Sequence, residues 1–158
     1  MLAVAVAVAI RIVLVMLFLP FSAADKILNF RGAVGQARQA VANRALATAL
    51  IFAGLLIEIF MSLGVVTGIA DRLCALVLGG YCGVTALLWK QFWKPGDFWT
   101  SNGGQGRTLF WDFLKNFSLG AGFLLIACGT RATSVEHFLT HPLASSHPYR
   151  MSQEHASP

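Results

Sequence analysis

Charge is scarce in this sequence of 158 residues. Asp, Glu, Lys and Arg make up 12% of it, against about 25% in an ordinary soluble domain. Apolar residues make up 56%, and the mean hydropathy is +0.66. A domain of this size has too high a surface-to-volume ratio to bury so much apolar surface in its own core, so lipid must solvate the excess. Cysteine is also sparse. Cys74, Cys82 and Cys128 each lie in an apolar run without a CxxC spacing, which fits buried reduced thiols and leaves no disulfide or cluster motif. Histidine is missing from every apolar run, so a bis-His haem has no ligands within the membrane domain. His137, His141, His147 and His155 come later, at spacings that match no metal motif. A P-loop, a GxGxxG turn, an HExxH helix and a nucleophile elbow are all lacking, which argues against a soluble-type enzyme. The net charge of +5 reads as a basic bias on membrane loops and not as a nucleic-acid surface.

What remains is four long apolar runs. They predict an all-α polytopic membrane protein, a four-transmembrane-helix bundle over residues 1–130 with spans at about 2–24, 46–68, 73–89 and 109–129. Residues 131–158 read as a polar, disordered tail. The second span is the organising one. Glu58 is its only charge, and at about 1.5 Å per residue the run spans roughly 34 Å. A carboxylate at such a depth costs about 2.5–3.5 kcal/mol to insert, so it must face protein or water.

The first run is apolar except for Arg11, with a bend expected near Pro20. A signal peptide is the competing reading, since Phe21-Ser22-Ala23-Ala24 resembles a cleavage site, but no Lys or Arg precedes the run. Residues 25–44 read as a polar loop with a short interfacial helix at 37–45, and Asp71-Arg72 as a tight turn. Gly64/Gly68 and Gly79/Gly83 have GxxxG spacing, and Gly120 and Gly122 offer further close packing. Trp89, Lys90, Phe92, Trp93, Lys94, Phe98 and Trp99 form an aromatic and basic cluster of the kind a lipid headgroup layer selects, followed by a Gly-rich loop. Asp112 and Lys115 are one turn apart and can pair, with Asn116 one position deeper.

Counting from the span ends places Arg11, Glu58 and Tyr81 about 13, 15 and 12 Å below one membrane face. The expectation is an intramembrane Arg11–Glu58 ion pair with Tyr81 in hydrogen-bonding range. Such a site would serve as a register lock, as a polar pocket for a quinone-like or other amphipathic ligand, or as part of a proton path. Asn116, with Asp112 and Lys115, would line an entrance nearer the other face. Seven basic residues on the loops after spans one and three oppose three on the other side. This places the protein in the cell (inner) membrane with both termini on the outer, periplasmic side.

The pattern resembles the DoxX family of small four-helix membrane proteins. The resemblance covers about residues 8–130 and rests on Arg11, on Asp25-Lys26-Ile27-Leu28, on Glu58 with Gly64, Gly68 and Arg72, on Gln91-Phe92-Trp93, and on Phe113-Leu114-Lys115-Asn116. Lys90-Gln91 stands where many members carry a His before the Phe-Trp. The resemblance implies an accessory subunit of a quinone-linked membrane oxidoreductase system, not catalytic on its own. Quinone would be its one ligand among cofactors, held at Arg11, Glu58, Tyr81 and Asn116. Its partners would be the bilayer, redox-complex subunits and a second copy of the chain. The alternatives are a small-molecule or lipid transporter or binding protein, and an assembly factor without a redox role.

Overall fold

The computed structural model describes residues 1–100 and 103–150. They form an all-helical structure without strands. Helix α1 runs from Leu2 to Leu28, α2 from Phe30 to Ala37, α3 from Arg44 to Thr67, α4 from Asp71 to Trp89, α5 from Gln105 to Cys128 and α6 from Ala132 to Thr140. Four of these, α1, α3, α4 and α5, are long and apolar enough to cross a membrane. The expected four-helix bundle is present.

Local chemistry sets the helix ends. The Asn43 side chain accepts hydrogen bonds from the amides of Ala45 and Leu46 at 2.9 and 3.2 Å and starts α3. Gly68 ends it in a left-handed conformation, φ +79°, and donates its amide to the Gly64 carbonyl. The Asp97 carboxylate accepts from the amides of Gln105 and Gly106, both at 2.7 Å, and starts α5. Within α1, Pro20 has no amide to donate, and the helix widens to π geometry over Leu17–Ser22 without breaking.

The core forms where α4 meets α5 and α1. An ideal Cβ on Gly79 would lie 3.2 Å from the Gly120 carbonyl oxygen, and one on Gly120 equally close to the Gly79 carbonyl. The two backbones therefore touch at this pair, which puts Gly79 in a crossing with Gly120; Gly83 has open space around it. Val15, Phe18, Leu78, Val65, Phe123 and Ala127 fill the centre. A smaller cluster of Val34, Ala37 and Ala47, with Trp89 against it, seats α2 on α3 and the end of α4.

Four boundaries differ from the sequence reading. The first span continues to Leu28, so Lys26 lies on the spanning helix. The interfacial helix lies at Phe30–Ala37 instead of 37–45, because Val34 and Ala37 have an apolar partner in α3. Asp71 opens α4 as a wholly buried residue and does not sit in an exposed turn. The tail over residues 131–150 is ordered. Phe138 on α6 is buried, and residues 144–150 fold back as a strap onto the ends of α3 and α4, with Pro148 against Gly68. Polar composition alone hid this order, because the strap is held by specific hydrogen bonds and not by an apolar face. His155 and the rest of residues 151–158, with Ser101 and Asn102 of the Gly-rich loop, lie outside the described residues.

The aromatic cluster splits. Phe92 sits among Trp93, Phe98, Phe110 and Phe113, with ring centroids 5.0–6.1 Å apart, and ties the loop to α5. Trp93, Trp99 and Trp111 face outward, as an interface belt does.

Candidate functional site

Two buried ion pairs cross the bundle, and they are not the pair expected from the sequence. Arg11 does not meet Glu58. Its Nη2 lies 2.7 Å from Asp71 Oδ2, and its Nη1 donates to the Val65 carbonyl at 2.6 Å. Glu58 instead takes the ammonium of Lys26. The depth count misled because it set the ends of the first and second spans level, whereas α1 is offset along the α3–α4 hairpin and continues to Leu28, past the expected end at residue 24. Arg11 and Lys26 are thus separated by about 22 Å along one helix. Each finds the acid that the α3–α4 hairpin presents at its own level. Each pair neutralises its charges within the bundle, which makes two cations and two carboxylates tolerable there.

The Arg11–Asp71 centre lies at the α3–α4 turn and is saturated. Asp71 Oδ2 accepts from Arg11 and from the Ser146 hydroxyl, and Oδ1 accepts from the Ser146 amide at 2.8 Å. Ser146 Oγ in turn accepts from Arg11 Nη2 at 3.0 Å. Tyr149 donates its hydroxyl to the Val66 carbonyl. Asp71 is wholly buried.

The Lys26–Glu58 centre lies deeper and is lopsided. Glu58 Oε1 accepts from Lys26 Nζ, from the Tyr81 hydroxyl at 2.9 Å and from the Ser22 hydroxyl at 3.1 Å. Lys26 also donates to Ser22 at 2.8 Å and stands 5.9 Å from the Tyr81 ring centroid. Ser22 and Lys26 are i and i+4 on α1, so one helix face delivers both. Gly54, one turn before Glu58, leaves room for the phenol: a Cβ there would come within 3.0 Å of the Tyr81 oxygen. Glu58 Oε2 is buried and has no partner among the described residues.

That centre forms one wall of a cavity of about 630 Å³, within the 300–1,000 Å³ usual for small-molecule sites. The cavity lies between α1, α2, α3 and α4, with Asn116 reaching in from α5. Of the four expected ligand residues, Glu58, Tyr81 and Asn116 line it, and Arg11 does not. Lys26 takes the place assigned to Arg11. Much of the lining is apolar, and Leu50, Val84 and Leu88 are both lining and exposed, so the mouth opens through the side of the bundle. Trp89 and Lys90 mark its other end. The Trp89 indole nitrogen is another buried polar atom without a partner among the described residues. Lys90 bonds Asp112 at 3.1 Å, and Asp112 also pairs with Lys115 at 3.5 Å.

Lys26, Ser22 and Asp71 were missed as site residues. Lys26 had a legible signal, since Ser22 and Lys26 share a helical face if the first span runs on. Asp71 had a weaker one, lying three residues after a helix-ending Gly.

Four apolar helices of spanning length, with a cavity among them and a charge pair in its wall, define a multi-pass membrane protein. The DoxX family model matches residues 6–91, more than half of the sequence, and the chain belongs to that family. The matched region contains Arg11, Lys26, Glu58, Asp71 and Tyr81, whereas Asn116 and the strap lie beyond it. No curated protein and no solved structure matches the chain.

Proposed function

We propose that this protein is an accessory subunit of a quinone-linked membrane oxidoreductase system and that its cavity takes the quinone head. The observation that carries this reading is the cavity's asymmetry: a mostly apolar interior, a side mouth at Leu50, Val84 and Leu88, and a buried donor–acceptor cluster at Lys26, Glu58 and Tyr81. A quinone has an apolar tail that suits such a mouth and two carbonyls that need donors. The residues fit. The Tyr81 hydroxyl is spent on Glu58, but Lys26 has a third N–H that reaches only Tyr81 at 3.5 Å, the Trp89 indole is a donor at the far end with no partner among the described residues, and Asn116 can donate or accept. Bound quinone would supply two-electron, two-proton chemistry. The chain's own residues would orient the ring and hold a proton at Glu58 Oε2, while electrons would come from a partner subunit.

The same side mouth favours a second reading, a carrier or binder of another membrane amphiphile. For orientation, six basic residues flank the α2 and α4–α5 end of the bundle (Arg31, Arg38, Arg44, Lys90, Lys94 and Arg107) and three the other (Arg72, Arg131 and Arg150). This supports placing the first set in the cytoplasm of an inner-membrane protein with both termini outside.

The test is solvent extraction of the protein purified in mild detergent, beside Glu58→Gln and Tyr81→Phe variants. Near-stoichiometric quinone that falls at least tenfold in the variants supports the reading. Quinone at the detergent background in the wild type overturns it, and a different co-purified amphiphile favours the second reading.

A further inference from the structure

Glu58, Ser62 and Val65 fall at i, i+4 and i+7 on α3 and share one face. All three are buried, Ser62 and Val65 completely. The Val65 carbonyl receives Arg11, and Glu58 receives Lys26, so this face links the two ion pairs over about 10 Å. Between them the Ser62 hydroxyl has no partner among the described residues, and neither has Glu58 Oε2 one turn away. Two unpartnered polar atoms at adjacent turns inside an apolar bundle are costly, and buried water is what ordinarily satisfies such groups. Beyond Arg11 and Asp71 the face ends at the strap. Ser146 bonds both charges, and Tyr149 bonds Val66.

We propose that the strap, residues 144–150, is a stopper on a hydrated track running along α3 from Arg11–Asp71 past Ser62 to Glu58, and that its release lets water and protons reach that carboxylate. The strap grips the bundle through the Ser146 hydroxyl and amide on Asp71, the Tyr149 hydroxyl on the Val66 carbonyl and Pro148 against Gly68, so it can leave without unpacking a helix. With it in place, Asp71 has every acceptor filled and the track is closed. With it gone, Arg11 and Asp71 still neutralise each other and become the wetted mouth. A proton entering there passes through water held by Ser62 and lands on Glu58 Oε2, the free oxygen. The groups that face Glu58 are Lys26 and Ser22 from α1 and Tyr81, with the buried Cys82 beside it, from α4. The inference stands whichever molecule fills the cavity.

Thiol accessibility tests it on the full chain in lipid nanodiscs. In a background carrying Cys74→Ala, Cys82→Ala and Cys128→Ala, a small charged methanethiosulfonate is reacted with Ser62→Cys and, separately, with Thr85→Cys, which probes the cavity. Adding Ser146→Ala/Tyr149→Phe is expected to raise the rate at Ser62→Cys at least tenfold and leave Thr85→Cys within twofold. An unchanged rate at Ser62→Cys overturns the proposal, as does acceleration at both positions, which means general loosening. Hydrogen–deuterium exchange of the unmodified protein is independent of those variants. The Ser146 amide is expected to exchange at least tenfold faster than the α3 amides around Ser62. Equal rates would mean the strap opens only when the bundle does, and would also overturn the proposal.

Discussion

The two buried ion pairs have the same formal chemistry and different finish. At Arg11–Asp71 both carboxylate oxygens are occupied and a guanidinium nitrogen binds a helix-end carbonyl as well. At Lys26–Glu58 three donors crowd one oxygen, the other oxygen is empty, and a cavity begins beside it. A saturated pair fixes helices α1, α3 and α4 against each other and leaves nothing over for a guest. The unsaturated pair leaves a buried polar atom without a partner among the described residues, beside the cavity. The DoxX match covers both pairs and omits the strap, so the two centres belong to the shared part of the chain and the stopper to the remainder.

The contrast can be broken most severely at Arg11. Arg11→Ala leaves Asp71 charged, buried and without its cation, at a cost of about 3–5 kcal/mol. Loss of the monodisperse peak in fluorescence-detected gel filtration is the expected outcome. Arg11→Met/Asp71→Leu should restore much of that peak, because it removes both charges. Arg11→Glu/Glu58→Arg should be no better than either single variant, since the two residues are not partners. Recovery in that last double variant would show that the pairing described here is wrong.

Glu58→Gln sharpens the comparison. It keeps the shape and an acceptor for Tyr81 but strands the Lys26 charge, which also has Ser22 and the Tyr81 ring to lean on. The expected loss, about 1–3 kcal/mol, is smaller than at Arg11. The cavity's guest should nevertheless be lost. The expected pattern is thus a large stability effect at Arg11 with guest binding following the folded fraction, and the reverse at Glu58. Thermal melts and extraction on the same samples separate the two.

Smaller effects follow at the supporting residues. Tyr81→Phe removes one hydrogen bond, about 0.5–1.5 kcal/mol. Gly54→Ala should resemble it, because the added methyl presses on the phenol oxygen. A melting temperature for Gly54→Ala equal to wild type would mean that Tyr81 has another way to reach Glu58. The smallest effect is expected at Lys115, whose side chain is 75% exposed. Its pairing with Asp112 is an open surface contact worth less than about 1 kcal/mol, and Lys115→Ala should leave both melting and extraction unchanged.

Much of the architecture was legible in the residues. Four apolar runs of spanning length carry their own helical instruction, since a backbone in lipid must satisfy its hydrogen bonds internally. Glu58 announced a buried partner by its depth, and Tyr81 was rightly placed within its reach. Asn116 was placed toward an entrance, and it lines the cavity. The pairing of charges was not legible. Arg11 and Glu58 fell at one depth only under the assumption that the outer ends of the first two spans lie level, whereas Arg11 meets Asp71 at the α3–α4 turn. The widened turn around Pro20 also carries the first helix on to Leu28 and brings Lys26 into the bundle.

The sequence by itself determined the solvent, the number of spans and the requirement that every charge within them be matched, because hydrophobicity and helical period are local properties. Only the tertiary structure decided which cation meets which carboxylate, where the cavity opens and what the last residues do. Those outcomes depend on how far α1 is offset along the α3–α4 hairpin. That offset is set by the packing of Val15 and Phe18 of α1 into the core, with Phe18 against Tyr81 and Phe123, contacts between segments far apart in the chain. The strap shows the same limit in its clearest form. Ser146 and Tyr149 carry no periodic signal, and they find order only because folding has already presented them with a buried carboxylate, a guanidinium and the free carbonyl of a helix end.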